Sequence, residues 1–125
     1  MVAYNFRKEF ADDVESGIKT STIRKRARCK PGDKLQLYTG QRTKGCRLLC
    51  TANCILVQDV RIEGSNMEVN GRPVAAGDAT RNEIEDRDND IAKRDGFTGF
   101  IEMAEWFDRM YGLPFEGARI VWTLE

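Results

Sequence analysis

An α+β fold, a mostly antiparallel β-barrel with helices at one side, is what the order of residues predicts. Three observations carry that expectation. Short runs rich in β-branched residues follow one another with tight turns between them. A strongly apolar helical segment comes late in the chain, and an alternating strand follows it. Strands close in sequence pair antiparallel most readily, and closing the sheet hides its edges. With 125 residues, the chain fits one domain, 1–125, and can bury enough apolar surface to fold alone.

The elements are expected in this order. Val2–Phe6 opens as a short strand. Phe6, Phe10 and Val14 then recur at four-residue spacing, the signature of one helical face, and Gly17 ends that helix. Thr20–Lys25 is a strand. Its alternation sends Ile23 to the core and turns Thr22 and Arg24 together toward something polar. Pro31-Gly32-Asp33 turns the chain into a strand over Lys34–Thr39, with Leu35 and Leu37 inward. A polar loop from Thr39 to Gly45 is a hairpin tip. Leu48–Ile62 is too long for one flat strand and predicts a bulge or bend.

Gly64-Ser65-Asn66 predicts a turn, and Asn70-Gly71, between Met67–Val69 and Pro73-Val74, a two-residue hairpin. Ala75–Asp90 is acidic and almost free of large apolar residues, so it reads as an exposed insertion. A short helix over Asp90–Arg94 closes at Gly96. The clearest helix spans Phe97–Tyr111, with Phe97, Ile101, Ala104 and Phe107 on one apolar stripe, widened by Phe100, Met103 and Met110. Ala118–Leu124 is the last strand, with Ile120, Trp122 and Leu124 alternating.

Charge narrows the function classes. The chain balances 20 Lys and Arg against 20 Asp and Glu. Residues 1–50 hold 12 basic and 5 acidic residues, a net +7, so residues 51–125 hold 8 and 15, a net −7. The basic side is densest at Arg24, Lys25, Arg26, Arg28, Lys30 and Lys34, which favours a polyanion such as RNA or a nucleotide; the two halves pairing with each other is the plainer reading. No run of about 18 apolar residues and no signal-peptide core occur, so a cytoplasmic protein without a membrane partner is expected.

The chain has four cysteines and no histidine, which excludes a Ser-His-Asp triad. Cys46, Cys50 and Cys54 would share one strand face as small buried thiols, with Cys29 apart. Neither metal-ligand spacing nor a phosphate-binding loop stands out, so no metal and no cofactor are expected.

The segment Gly17-Ile18-Lys19-Thr20-Ser21-Thr22-Ile23-Arg24 does stand out. A glycine releases the helix, and an ammonium, a hydroxyl and a guanidinium follow on one small surface. Together they can cradle an anion or nucleotide. Tyr38 and Phe97, with Tyr4 and Trp106 behind them, are candidates for base stacking, Tyr38 first because burying Leu35 and Leu37 turns it outward.

Gly17, Lys19, Thr22 and Arg24 resemble the G-x-K-x-x-T-x-R signature of the ASCH domain family, in the PUA-like class of β-barrels. Lys30–Tyr38 resembles the family's K-x-G-D-x-L segment. Asp95-Gly96-Phe97 resembles its acidic-Gly-Phe element, and Pro114–Trp122 its C-terminal strand. Small stand-alone bacterial and phage members are similar in extent. The resemblance implies a PUA-like barrel that binds RNA or a modified nucleoside. It also implies a possible amidohydrolase site for N(4)-acetylcytidine. By position, Lys19, Thr22 and Asp95 carry the catalytic roles, and Asp95 stands where the family has the longer glutamate. Arg24, Lys25, Arg26, Arg28 and Tyr38 are the nucleotide- or RNA-binding candidates. A non-catalytic RNA-binding module and a metal-independent ribonuclease are the alternatives.

Overall fold

Tyr4, Leu35, Leu37, Ile120 and Trp122 are buried almost completely, and the strands that carry them form one curled sheet. The structure, a computed structural model, describes residues 1–64, 67–70 and 81–125, without the side chains of 81–86. Its elements are β1 (Val2–Phe6), α1 (Lys8–Ser16), β2 (Ser21–Arg24), β3 (Lys34–Thr39), β4 (Arg47–Ile62), β5 (Met67–Val69), α2 (Arg81–Arg94), α3 (Phe100–Tyr111) and β6 (Phe115–Leu124). The fold is α+β: a half-barrel mixed sheet with three helices among the described residues. None of those helices is long and apolar enough to cross a membrane.

The sheet runs β1-β3-β4-β6-β2, with β5 added to β4. All pairs are antiparallel except β1 with β3, which is parallel. The sheet is therefore mixed, because α1 and β2 intervene before the chain returns to β1. β4 pairs with β3 through its first half and with β6 through its second. It changes partners beside a register shift between Cys54 and Leu56, the irregularity its length demands. A second shift, between Leu37 and Tyr38, separates the start of β4 from the rest. Cys46 precedes β4 and is exposed, so the three cysteines expected on one strand face do not share it.

β1 and β2 stand at opposite ends of the strand order, and side chains from β2 and the loop after it reach across to β1. Arg24 Nη2 donates to the Asn5 carbonyl at 2.7 Å, and Arg28 Nη2 donates to the Ala3 carbonyl. Carbonyls two residues apart in a strand point the same way, so both arginines serve the edge of β1 that β3 leaves free.

The helices depart from the sequence reading in two places. Within the segment read as an exposed insertion, residues 75–80 lie outside the described ones. From Arg81 the chain is helical, so the short helix expected over Asp90–Arg94 is the end of a longer one. Asp88, Ile91 and Ala92 are buried in it, with Asp88 accepting from the Met67 amide at 3.3 Å and pairing with Arg87. A carboxylate thus occupies a position where an apolar residue would have announced the helix.

The late helix starts at Phe100, where Asn89 Oδ1 accepts from the Phe100 amide at 2.9 Å. Its buried stripe is Phe100, Met103, Ala104 and Phe107, an i, i+3, i+4, i+7 set. Ile101, placed on the stripe by a helix beginning at Phe97, is 75% exposed. Met110 is exposed as well.

Two apolar clusters fill the molecule. One packs α2 and α3 against Val60, Ile62 and Phe115; the other packs α1 against β1, β3 and Trp122. Phe10 touches both. The partner proposed for the Asn70-Gly71 hairpin, Pro73-Val74, and most of the Gly64–Asn66 turn lie outside the described residues. β5 pairs with β4, and Asn70 exchanges hydrogen bonds with Asp59.

Candidate functional site

The site forms where the two clusters meet, and backbone bonds hold its first residue from three sides. Gly17 closes α1 in the left-handed region (φ 85°), as a residue without Cβ can. The Lys19 amide then donates to Asp13 of α1. The Thr20 amide donates to Arg94 at the end of α2, and the Thr20 carbonyl accepts from Trp122 of β6. Lys19 is thereby pinned between two helices and the sheet, and it is 3% exposed.

Asp95 follows the last turn of α2 and is 2% exposed. Lys19 Nζ lies 3.6 Å from Asp95 Oδ2 and also donates to the Asp95 backbone carbonyl. A cation suits that carbonyl, since a helix C-terminus carries partial negative charge. Ser21 Oγ donates to Asp95 Oδ1 at 2.8 Å. The φ of +94° at Gly96 favours glycine, and a Cβ there would sit 3.3 Å from the Lys19 side chain, which would have to give by a few tenths of an ångström.

Thr22 and Arg24 turn the same way, as strand alternation requires: Arg24 Nε donates to Thr22 Oγ1 at 3.1 Å. That bond occupies an oxygen lone pair and leaves the hydroxyl hydrogen free to point elsewhere. The Arg24 guanidinium also lies over the rings of Tyr4 and Phe6, at 5.3 and 4.9 Å. The Lys19 ammonium faces Phe10 at 5.0 Å and Phe6 at 5.8 Å.

Lys19, Thr22, Arg24 and Asp95 line one cleft, together with Phe6, Phe10, Phe97 and Trp106. The cleft encloses about 90 Å³, whereas pockets for whole small ligands run to about 300–1,000 Å³. It has room for the reacting end of a ligand, and the rest would lie outside over Asn5, Arg7 and Tyr111 at the rim. Burial pushes the Lys19 ammonium below its ordinary pKa. Asp95 opposes that shift, and the neighbouring positive charge of Arg24 adds to it. Burial also lowers the Arg24 guanidinium, and Tyr4 and Tyr111 oppose it.

The other predicted residues fall elsewhere. Lys25 and Arg26 are exposed beyond the end of β2, and neither lines the cleft. Arg28 stacks on Tyr4 at 4.8 Å beside the sheet seam. Tyr38 is half-buried on β3, its hydroxyl 3.4 Å from Gln36 Oε1, and does not line the cleft. Phe97 and Trp106 do, while Tyr4 lies in the core beneath the arginines.

Sequence reasoning missed Ser21, Phe6 and Phe10 as members of the site. The spacing of the two phenylalanines signalled an apolar face, but not that a buried ammonium rests on it. Arg119, which does not line the cleft, was not singled out either. It is buried on β6, donates to Gln58 at 3.0 Å, and its Nε has no partner among the described residues. Also among the described residues, no three or more Cys, Asp or Glu side chains gather as they would around a metal ion.

Comparison with family models, curated proteins and solved structures finds no match to this chain.

Proposed function

We propose that this chain is an ASCH-type, PUA-like domain of the cytoplasm whose cleft takes RNA or a modified nucleoside, and that it hydrolyses an N(4)-acetylcytidine-type amide. The observation that carries the proposal is the shared cleft: Lys19, Thr22 and Asp95 line one cavity with Arg24 beside them and aromatic walls around them.

Thr22 Oγ attacks the acetyl carbonyl carbon while a neutral Lys19 Nζ takes the hydroxyl proton. The bond to the cytosine amine then breaks, and Lys19 returns the proton to that nitrogen. Water cleaves the resulting Thr22 ester to acetate, restoring the hydroxyl. A lysine base must be neutral near working pH, and burial lowers its pKa in that direction. Arg24, already donating to Thr22 Oγ1, favours the developing negative charge. Asp95 holds the lysine in place.

A second reading has its own support. The Lys19 ammonium is committed to Asp95, and among the described residues no hydrogen bond joins it to Thr22. An ion pair so satisfied suits a binding module that performs no chemistry.

Incubating the wild type with N(4)-acetylcytidine and with a short RNA separates the readings. The amidohydrolase releases acetate from the nucleoside, and Thr22→Val abolishes release while the variant keeps its far-ultraviolet circular dichroism. RNA binding that weakens steeply with salt, with no acetate released, overturns the hydrolase in favour of the binding module. Cleavage of RNA in the presence of a chelator favours the ribonuclease instead.

A further inference from the structure

The apolar cluster around β1, β3 and Trp122 holds a second reactive group, away from the cleft. Cys29 Sγ lies 3.8 Å from Cys54 Sγ, in van der Waals contact, and both cysteines are free. Their surroundings hold them together. The turn after Cys29 is docked on Cys54: the Gly32 amide donates to the Cys54 carbonyl at 2.8 Å, and the Cys54 amide donates to Asp33 at 2.9 Å. Cys54 sits where β4 shifts register, a point at which a strand can bend. A disulfide needs its sulfurs about 2.05 Å apart, so closing the gap asks for under about 2 Å of movement. Side-chain rotation can supply most of that while the docked backbones stay in place.

We propose that Cys29 and Cys54 are a reversible disulfide site that responds to peroxide-class oxidants. Cys29 is half-buried and Cys54 is 2% exposed, so the oxidant meets Cys29 first. The Cys29 sulfur attacks one peroxide oxygen, the O–O bond breaks, and the Cys29 proton joins the departing hydroxide, giving a sulfenic acid and one water. The Cys54 sulfur then displaces the sulfenic oxygen as a second water. The two thiols lose two electrons and two protons, and one peroxide becomes two waters. Burial, with Cys29 second, pushes the Cys54 thiol up to about 11, so Cys54 is not the thiol that reacts with the oxidant directly.

The site touches the rest of the protein through Tyr4. Its hydroxyl donates to Cys29 Sγ at 3.4 Å and accepts from the Arg28 amide at 3.0 Å. The same ring carries the guanidinium groups of Arg24 and Arg28. A disulfide sulfur is a poorer acceptor than a thiolate or thiol, so oxidation alters the support of the arginines that bridge β1 and β2. It also ties the basic loop to β4.

Treating the full chain with a small excess of hydrogen peroxide, alkylating it, and mapping its peptides tests the proposal. Before alkylation the expected product is a monomer lighter by about 2 Da, and after it Cys29 and Cys54 lie in one cross-linked peptide that dithiothreitol separates. Its thermal midpoint lies several degrees above that of the reduced protein. Cys46→Ser still forms the bond, and Cys29→Ser does not. Cys54→Ala is the second control, because the lone Cys29 then stops at the sulfenic acid and reports that the oxidant reached it. A wild type in which Cys29 remains alkylatable, forms a dimer through Cys46, or advances to the sulfinic acid with Cys54 still free overturns the proposal.

Discussion

Lys19 Nζ stands 3.6 Å from Asp95 Oδ2 and donates to the main-chain carbonyl of the same residue, so one ammonium holds both the side chain and the backbone that end α2. At a pH low enough to keep Lys19 protonated, removing either partner leaves a charge buried without its counter-charge, which costs about 3–5 kcal/mol. Lys19→Met and Asp95→Asn are each expected to lose stability of that order. The double variant is expected to lose less than the sum, by about 1–3 kcal/mol. Urea unfolding of the four proteins measures the coupling, and additive losses would show that the two groups do not act as a pair.

Tyr4 offers a test by pH. Burial, and then the bond it donates to Cys29, push its hydroxyl from 10.0 to about 12. A pKa raised on folding means that the protonated form is the stabilised one. Its contribution is complete below pH about 10 and is lost as the pH climbs toward about 12. Relative to Tyr4→Phe, the wild type is expected to lose on the order of 2 kcal/mol across that window. Denaturant midpoints at stepped pH, read as the difference between the two proteins, check the slope.

Gly117 on β6 lies against β2. A Cβ there would meet the Arg24 carbonyl oxygen at 2.3 Å and a ring carbon of Phe115 at 2.9 Å. Gly117→Ala is expected to cost about 1–3 kcal/mol, because two strands must part to admit one methyl group. A thermal midpoint within a degree of the wild type would mean that β2 yields freely at Arg24.

The phase of α3 can be read from two substitutions. Met103 is wholly buried, and Met103→Ala is expected to cost about 2–5 kcal/mol. Ile101 points to solvent, and Ile101→Gln is expected to fall within about 0.5 kcal/mol of the wild type. Equal losses from both would restore the stripe beginning at Phe97.

Alternation and punctuation made most of the strands legible. Leu35 and Leu37 are buried as their spacing requires, and Gly17 and the Pro31-Gly32-Asp33 turn stand where they were expected. The parallel pairing of β1 escaped notice because it depends on which strand the chain returns to, and no local pattern records that. The beginning of α2 escaped because its described buried positions include Asp88, whose partners Arg87 and Met67 belong to tertiary packing. Within the site, strand alternation put Thr22 and Arg24 together. The Gly17–Arg24 segment singled out Lys19 and a resemblance alone pointed to Asp95; they are 76 residues apart, and only the fold brings them into contact. Ser21 was hidden by the same alternation, since β2 is buried on both faces.

The arginines that bridge β1 and β2 have a consequence for how this protein behaves in a crowded solution. An edge strand with unsatisfied carbonyls is a template on which a second chain can lay a strand of its own and begin a fibre. At Ala3 and Asn5 those acceptors are already occupied by guanidinium groups, which carry charge and admit no further backbone ladder. The open side of the half-barrel is therefore stoppered against its own copies by two side chains rather than by another strand.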